Sequence, residues 1–437
     1  MKRLAVLLGL TLMAAQAGTA SAKSLEEVLK EKGVITEADY KEIMAAAPKS
    51  KPLNYKLGSG FTFTSPDEKF QLTLGGMLQS LYTFKDKGGN GQTNSSEFKL
   101  RRAKTLFSGY AFSKDLTFKF NQNWAQLNNS NTSQVMEETY MNYRISDPLQ
   151  VRLGQDKVQF SRQYITSSSQ NEFVDSSFVT SAFAPGYDTG LALNGRVADG
   201  LLTYAAQLLG GKGQNIPQGT TNNAYNFRIA VNPLGDMKYS ESDVDNSAKP
   251  LVSAGASYYH GTIRKNSDTT TAATTKATAN TFDNNNLNFA GKTGWLGFNG
   301  DKFGAKANVD VNMFEGDLAF KYSGFSLQGE YFWAEGTGDS RTAGESATVI
   351  SKGFYTQAGY FVIPKTVEIA ARYGWMDYNH DMTDSLKSEV QGAVNWYVAG
   401  HNLKIQADVT KSHAQNNADT RGRVNDLTFR TQAQLLF

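Results

Sequence analysis

The residues that could do covalent or metal chemistry are few in this 437-residue chain, and they do not cluster. The chain has no cysteine, which excludes disulfides, thiolate metal sites and cysteine catalysis. No G-x-S-x-G motif occurs, and Gly291-Lys292-Thr293 imitates the end of a phosphate-binding loop but has Asn286 where the first glycine belongs. The four histidines lie far apart, at His260, His380, His401 and His413. The sequence therefore predicts no catalytic residue, no cofactor and no metal site.

Charged side chains, by contrast, recur at alternate positions along extended segments. Alternation places these bases on one face: Lys119, Arg144, Arg152, Arg196, Arg228, Lys321, Arg372, Lys404 and Arg430. The acids on the same face are Glu138, Asp156, Asp317, Glu330, Glu368, Glu389 and Asp408. Planar arginine suits phosphate or carboxylate groups, so the bases between positions 119 and 228 predict a local anion path. Pairing of each base with an inward acid is the alternative, which the sequence leaves open.

The segments that carry these charges are typical of long amphipathic strands. In the last segment Leu427 and Phe429 alternate with Thr428 and Arg430, so one face is apolar and the other polar. Strands of about nine to twelve residues with aromatic ends suit a tilted bilayer-spanning strand better than a soluble sandwich. Sixteen strands are predicted, at 70–84, 97–112, 115–125, 135–145, 149–157, 187–197, 201–209, 224–232, 251–260, 305–322, 325–334, 353–362, 366–376, 387–398, 403–410 and 426–437. The predicted fold is all-β, a 16-stranded antiparallel transmembrane β-barrel with a water-filled interior.

The first residues are typical of an export signal. Lys2 and Arg3 precede an apolar run, and Ala20-Ser21-Ala22 fits a signal-peptidase site, so residues 1–22 are predicted to be a signal peptide. Residues 23–69 are predicted to form a periplasmic helical segment and linker, with a trimer-forming coiled coil as the alternative for its helical part. Residues 70–437 form the predicted barrel. A formal net charge of +3 is too balanced for a nucleic-acid binder.

Long and short connections alternate along the predicted barrel, as external loops and periplasmic turns do. The third long connection, residues 158–186, is rich in apolar side chains, which predicts that it folds into the lumen and constricts it. Its phenylalanines are Phe160, Phe173, Phe178 and Phe183, and its candidate site residues are Arg162, Glu172 and Asp175. Residues 233–250 break the rule, because they are long where a short turn is expected. A slip of alternation at Met313-Phe314 leaves the count of strands nine and ten open by a pair.

Arg101 and Arg102 are adjacent, so regular alternation allows only one of them to face the lumen. The residues two apart from Arg101, among them Ala103 and Thr105, make the more lipid-tolerant face. This favours Arg102, together with Lys104, as the inward pair. Arg102 therefore joins Lys119, Arg144, Arg152, Arg196 and Arg228 as a predicted pore-lining base on the anion path.

Several stretches of the chain match a known family. They are LKEKGVITEADY at 29–40, FKLRRAKTLFSGYAFSKDLTFKF at 98–120, VRLGQDKVQFSRQYITSS at 151–168, FAPGYDTGLALNG at 183–195 and FSLQGEYFWAE at 325–335. With these stretches the chain resembles the phosphate-selective porin O and P family of Gram-negative outer membranes. The resemblance implies a trimeric 16-stranded barrel whose third loop forms a constriction and whose basic side chains draw anions through.

The chain departs from the family pattern at positions that bear on the solute. Tyr187 stands where family members tend to carry arginine, and Asn123 where they tend to carry an acid. The lysine cluster that phosphate-selective members carry on the constricting loop is missing here, since Arg162 is the only base in residues 158–186.

The predicted function is that of an outer-membrane porin, which lets small anionic or neutral hydrophilic solutes diffuse passively, with a mild preference for anions such as phosphate. The expected partners are outer-membrane lipid and two further copies in a homotrimer, without nucleic acid. A strictly phosphate- or polyphosphate-selective channel is the alternative. A non-conducting structural barrel and an outer-membrane barrel enzyme are less favoured.

Overall fold

The computed structural model of the chain describes residues 29–46, 53–88, 93–128, 135–219, 221–265, 282, 294–415 and 423–437. The predicted signal peptide, residues 1–22, lies outside these described residues. Residues 1–51 and residues 52–437 form two separate units. In the first unit helix α1 spans Glu37–Ala46. It begins at a capping arrangement, because the Thr36 hydroxyl accepts from the Asp39 amide (3.1 Å) and the Asp39 carboxylate accepts from the Thr36 amide (2.8 Å).

The described part of the second unit holds one sheet of eighteen strands. Two short strands, β1 (Asn54–Lys56) and β2 (Gly60–Thr64), come first. The long strands are β3 (Phe70–Lys87), β4 (Ser95–Ala111), β5 (Ser113–Asn123), β6 (Met136–Ser146), β7 (Leu149–Lys157), β8 (Tyr187–Val197), β9 (Leu202–Leu209), β10 (Ala224–Val231), β11 (Leu251–Arg264), β12 (Asn308–Tyr322), β13 (Phe325–Asp339), β14 (Ser346–Ile363), β15 (Val367–Asp377), β16 (Leu386–Tyr397), β17 (Leu403–Ala414) and β18 (Val424–Leu436).

Strands β3–β18 close into an antiparallel barrel. Each pairs with its neighbour along the chain, and β18 pairs back onto β3, from Asp426 opposite Lys87 to Leu436 opposite Met77. At the seam Phe437 and Gly76 exchange two backbone hydrogen bonds of 2.7 and 3.0 Å. Strand β2 pairs with the first residues of β3, beyond the end of β18. The prediction of a sixteen-stranded antiparallel barrel is confirmed.

The two faces of the barrel wall have the polarity that a bilayer requires. On β10, Tyr225, Phe227 and Ile229 are exposed on the outer surface, whereas Asn226 and Arg228 are buried. A soluble protein would bury the apolar face and expose the polar one. The inverted arrangement, repeated on the other strands, allows the outer surface to contact lipid.

The connections differ between the two ends of the barrel, here named the short-turn end and the long-loop end. At the long-loop end, loop L3 (residues 158–186) holds helices α2 (Arg162–Ile165) and α3 (Phe178–Phe183), and loop L5 (residues 265–307) holds helix α4 (Trp295–Phe298). Segment T4 (residues 233–250) lies between β10 and β11 at the short-turn end. Short 3-10 turns occur at Trp124–Asn128, Ser168–Gln170, Ala198–Gly200 and Gly300–Lys302. In the described ranges we find no helix with the length and apolar character needed to cross a membrane.

The expected slip of register at Met313-Phe314 does not occur. Strand β12 pairs residue by residue with both β11 and β13 from Val309 to Lys321. The alternation looks blurred in the sequence because Val309, Val311 and Met313 are apolar yet point inward, where they pack with residues of L3 and L5. Here the interior wall faces packed loops rather than water.

Candidate pore and its lining residues

Loop L3 crosses the interior of the barrel. Its backbone is hydrogen-bonded to inward-pointing side chains of β13, β17 and β18, far away in sequence. The contacts are Gln163 N to Glu330 Oε1 (2.7 Å), Val174 N to Asp408 Oδ2 (3.1 Å), Lys404 Nζ to Asn171 O (2.7 Å) and Gln434 Nε2 to Ser169 O (3.1 Å). These contacts fix the loop against the wall that β13–β18 form.

The apolar side chains of L3 pack at the long-loop end. The ring of Phe183 stacks on that of Phe332 with centroids 5.2 Å apart, and Phe160 lies 6.2 Å from the same ring. Trp295 of L5 belongs to the same buried cluster. Phe173 is also fully buried, against β15 and β16. The apolar content of L3 that suggested a folded loop is therefore accounted for by packing inside the barrel.

The inward side chains are covered on one side of the barrel and accessible on the other. Buried inward residues of β11–β18 include Ser253, Lys321, Gln328, Gln357, Glu368, Asn395, Gln406 and Gln432. Several inward residues of β4–β7 are half-buried, namely Arg102, Lys104, Lys119, Glu138, Tyr140 and Arg152, whereas Asn121, Asn142 and Asp156 are buried. The accessible part of the lumen therefore follows the wall from β4 to β7, which we call the open wall.

Both Arg101 and Arg102 turn inward, which corrects the prediction that only one of them could. The pairing of β3 with β4 shifts register just after Gln79, so that Arg101 is the extra residue of a β-bulge. Arg102 donates from Nη1 to Gln79 Oε1 (2.8 Å), and Arg101 donates from Nη2 to Asp175 Oδ1 of L3 (2.9 Å). Alternation failed here because a bulge resets the period of two.

Two of the predicted bases on the open wall are paired with acids. Lys119 Nζ lies 2.8 Å from Glu138 Oε2, and Arg152 pairs with Asp156, four residues later on the same strand. The Arg152 guanidinium also lies over the ring of Tyr140, 4.2 Å from its centroid. For these bases the structure adopts the alternative that the sequence left open, pairing with an inward acid.

Asn123 and Tyr187, the two positions that depart from the family pattern, meet at one acid. Asn123 Nδ2 donates to Glu137 Oε1 (3.1 Å), and the Tyr187 hydroxyl donates to Glu137 Oε2 (3.3 Å). Lys104 forms an ion pair with the same carboxylate. The departures thus remove one acid and one base from the same part of the open wall, and they leave its net charge unchanged.

Arg144 and Arg196 lie at the short-turn end rather than along the open wall. Their side chains are 48% and 51% exposed. Arg144 Nη2 lies 2.8 Å from Asp115 Oδ1, and Arg196 Nη2 lies 2.8 Å from Asp236 Oδ2. Their alternation was regular, but they stand at the ends of β6 and β8, where the barrel meets solvent.

Arg228 of β10 and Arg162 of L3 are buried together between that loop and the barrel wall. Arg228 pairs with Glu315 (Nη1–Oε2, 3.0 Å) and Asp317 (Nη2–Oδ2, 2.6 Å). Arg162 Nη1 donates to Ser253 Oγ (3.0 Å) and lies 3.7 Å from Asp317 Oδ1. Neither base borders the open wall, so the only base of L3 is withdrawn into the barrel wall.

Glu172 of L3 is buried among other acids. Its Oε2 accepts from Gln357 Nε2 (2.8 Å), and its other carboxylate oxygen accepts from the Ser326 hydroxyl. Burial, with the nearby carboxylates of Glu368 and Glu241, raises the pKa of Glu172 well above its ordinary value. This residue fastens L3 to β13 and β14 and does not face the open wall.

Asp175 of L3, in contrast, meets the bases. Its Oδ1 accepts from Arg101, its Oδ2 lies 3.2 Å from Arg430 Nη1, and its carbonyl accepts from Arg372 Nη2 (2.9 Å). Burial alone would raise the pKa of Asp175, but the charges of Arg101, Arg430 and Arg102 outweigh it and hold the pKa below the usual range. The carboxylate is therefore ionised at neutral pH.

Lys157 is an inward base that alternation missed. Its Nζ donates to the carbonyls of Tyr164 (2.8 Å) and Thr166 (2.9 Å) at the end of helix α2. Counting by twos from Arg152 would place Lys157 on the lipid face. Lys157 is the last residue of β7, and its side chain turns back onto L3 where the strand ends.

Solved structures share the fold. An outer-membrane-expressed OmpT of Vibrio cholerae matches with a TM-score of 0.52 and 10% identity over 86% of this chain and 100% of that chain. The outer membrane channel DcaP of Acinetobacter baumannii matches with the same score, identity and coverage. OprB of Pseudomonas putida matches with a TM-score of 0.50 and 10% identity over 85% of this chain and 95% of that one.

Among curated proteins, an uncharacterized protein of Aquifex aeolicus is 25% identical over 415 residues, which cover 86% of each chain. The family model described as "Phosphate-selective porin O and P" matches residues 70–437. The match spans the whole barrel, and the chain therefore belongs to the phosphate-selective porin O and P family, as an integral β-barrel of the outer membrane.

Proposed function

We propose that this porin is a water-filled channel through which small hydrophilic solutes diffuse passively, with a mild preference for anions such as phosphate. Solutes pass between L3 and the open wall of β4–β7, because L3 is hydrogen-bonded to the opposite wall, where inward side chains of β11–β18 are buried. The constriction is then bordered by the Arg101–Asp175 ion pair and by the other bases of the open wall. No catalytic step is needed for this activity.

The charge balance beside L3 supports the anion preference. The bases are Arg101, Arg102, Lys104, Lys119, Arg152, Lys157 and Arg430, and the acids are Glu137, Glu138, Asp156, Asp175 and Asp408. Seven bases against five acids leave an excess of two. Each acid has a basic partner within ion-pair distance, so the excess resides on Arg102 and Lys157.

Arg102 is the observation that carries the proposal. Its Nη1 donates to the neutral amide of Gln79, and among the described residues it has no carboxylate partner. Lys157 also lacks one, but its ammonium is occupied by carbonyls of L3. A guanidinium with unused donors at the edge of the accessible lumen offers a passing carboxylate or phosphate two parallel hydrogen bonds.

Strict phosphate selectivity is the weaker candidate for this chain. Its family pattern relies on several lysines on the constricting loop, whereas Arg162, the only base of L3, is bound to Ser253 and buried. The loop itself contributes Asp175 to the path, which opposes anions. A weakly selective channel fits this arrangement better.

We further propose that three copies assemble in the membrane, as the family resemblance implies, with the apolar outer faces of the strands against lipid. Native mass measurement of the detergent-solubilised protein tests this directly. A monomeric species that conducts would contradict the trimer and leave the channel proposal intact.

Planar-bilayer recording and liposome swelling test the channel itself. Purified, refolded protein should give stepwise currents and allow small sugars such as arabinose to swell liposomes. Folded protein that inserts, as judged by heat-modifiable migration, but gives neither current nor swelling would instead support a non-conducting structural barrel.

A further inference from the structure

Segment T4 does not behave as a turn at a barrel rim. It is long where the other short-turn connections are tight, and its middle residues are buried rather than solvent-exposed. Met237, Glu241, Ser242 and Asp243 are each at most 4% exposed. Polar residues are this inaccessible only when they are enclosed and hydrogen-bonded. The segment therefore enters the barrel from the short-turn end.

Inside the barrel, T4 meets L3 through Glu241. Both carboxylate oxygens of Glu241 accept from L3: Oε1 from Gln163 Nε2 (2.7 Å) and Oε2 from the Glu172 amide (2.7 Å). The Glu241 amide in turn donates to the carbonyl of Gln170 (3.1 Å). One residue of T4 thus makes three hydrogen bonds to three separate positions of L3, two of them charge-assisted.

T4 is itself fastened to the barrel wall. The Ser242 hydroxyl lies 2.6 Å from the Tyr397 hydroxyl and donates to Glu368 Oε2 (3.1 Å). Lys321 Nζ donates to the carbonyl of Ser242 (3.0 Å), and Asp243 Oδ2 accepts from the Gly324 amide (2.8 Å). These contacts reach β12, β15, β16 and the turn between β12 and β13, so Glu241 stands on a fixed support.

The base of L3 is held by the same segment. The Arg162 guanidinium lies over the ring of Tyr239, 4.9 Å from its centroid, and Arg162 Nη2 contacts the sulfur of Met237 at 3.3 Å. Residues from T4 thus occupy the side of L3 that faces the short-turn end.

We infer that T4 is a second pore-narrowing element, inserted from the short-turn end, and that Glu241 is the positioning residue that holds L3 in place across the lumen. The inference rests on the proposed function only in that it needs a conducting pore. It adds that the pore size is set jointly by two segments that enter from opposite ends and meet at Glu241.

Conductance of Glu241→Ala tests the inference, with Asp236→Ala as the matched control. Asp236 is in the same segment but is 37% exposed and contacts Arg196 at the rim. Loss of the Glu241 contacts should raise the single-channel conductance about twofold and admit a disaccharide that wild type excludes, because pore radius governs both. Asp236→Ala should behave as wild type. Wild-type conductance and size limit in Glu241→Ala would overturn the inference.

A cysteine pair adds a test in which one folded protein is measured both oxidised and reduced, so that a folding defect cannot produce the difference. The chain has no other cysteine that could interfere. Gln170→Cys with Glu241→Cys should form a disulfide in outer membranes, because the two backbones are in hydrogen-bond contact. The oxidised pair should have wild-type conductance, and reduction should reversibly give the larger value. A pair that does not oxidise, or whose conductance ignores reduction, would refute the role of T4. A wild-type protein without current would refute only the proposed function, and disulfide formation would still report the contact.

Discussion

The guanidinium of Arg101 and the carboxylate of Asp175 lie 2.9 Å apart, and this ion pair joins strand β4 to loop L3. Arg101 reaches Asp175 because a β-bulge turns it inward beside Arg102. Arg430 of β18 binds the other oxygen of the same carboxylate at 3.2 Å. Two bases from either side of β3 therefore converge on one acid of L3. The charge of that acid decides how much of their field a passing anion meets.

Replacing Asp175 should strengthen the anion preference. Asp175→Asn keeps the shape of the side chain but leaves Arg101 and Arg430 with one fewer countercharge between them, so the anion-to-cation permeability ratio should rise about twofold. Because the pKa of Asp175 is held below its usual range, the difference from wild type should persist from neutral pH down to about pH 4. Zero-current potentials in a KCl gradient measure this difference in permeability ratio.

Asp147→Asn is the control for this variant, since Asp147 is exposed at the short-turn end, where it lies 3.3 Å from Arg144. An equal change in both variants, or none in Asp175→Asn, would show that the acid of L3 does not border the path.

Replacing Arg102 should weaken the anion preference. Arg102→Ala removes a base of the open wall that has no carboxylate partner among the described residues and is not occupied by L3, so the permeability ratio should fall by about half. Arg144→Ala, at the exposed short-turn end, should leave the ratio close to wild type. If the two variants were indistinguishable in zero-current potential, the field at L3 would not depend on Arg102.

Neutralising Glu172 should stabilise the barrel at alkaline pH. The pKa of Glu172 is raised in the folded state, so the folded protein holds this proton more tightly than the unfolded chain does. The folded state therefore loses stability as the pH rises above about 4.5, the ordinary pKa of the unfolded chain. Glu172→Gln removes this penalty and keeps an oxygen to accept from Gln357. The midpoint of heat-modifiable migration should exceed that of wild type at pH 8.5, and the gap should shrink as the pH falls toward 4.5. A gap that widens on acidification would contradict the assignment.

Adding a methyl group at Gly359 should disturb L3, although Gly359 lies in β14 and not in that loop. A Cβ there would lie 2.5 Å from Glu172 Oε1 and 2.9 Å from Glu368 Oε1, and hydrogen bonds hold both side chains in place. Gly359→Ala should cost about 1–3 kcal/mol and broaden the conductance distribution. Gly392→Ala is the control, because the nearest atom to its Cβ would be Val409 Cγ1 at 4.0 Å. Equal behaviour of the two variants would place Glu172 elsewhere.

The alternation of apolar and polar residues was sufficient to predict the barrel, because a strand with lipid on one face and a polar lumen on the other must repeat every two residues. The apolar side chains of L3 likewise predicted packing, and Phe160 and Phe183 lie in one buried cluster. The assignment of inward faces failed where the two-residue alternation was shifted, and where inward side chains pack against loops instead of facing water. The bulge at Arg101 resets the period, and Lys157 turns back onto L3 at the end of its strand; a count by twos detects neither.

Other parts of the site depend on contacts between residues far apart in sequence. Nothing local in T4 indicates that Glu241 binds L3, because its partners Gln163 and Glu172 lie 78 and 69 residues earlier. Whether a lumen base is paired is also a tertiary property. Arg228 and Lys119 look alike in an alternating strand, yet one is buried beneath L3 and the other is accessible.

The zero-current potential of wild-type protein in a KCl gradient, followed by titration of phosphate into the chloride bath, tests the central claim most directly. The excess of two bases beside L3 predicts a potential of anion-selective sign and small size, and a chloride current that low phosphate leaves nearly unchanged. A cation-selective potential would contradict the anion path along β4–β7. Block of the current by low phosphate would contradict weak selectivity and would show a specific phosphate site instead.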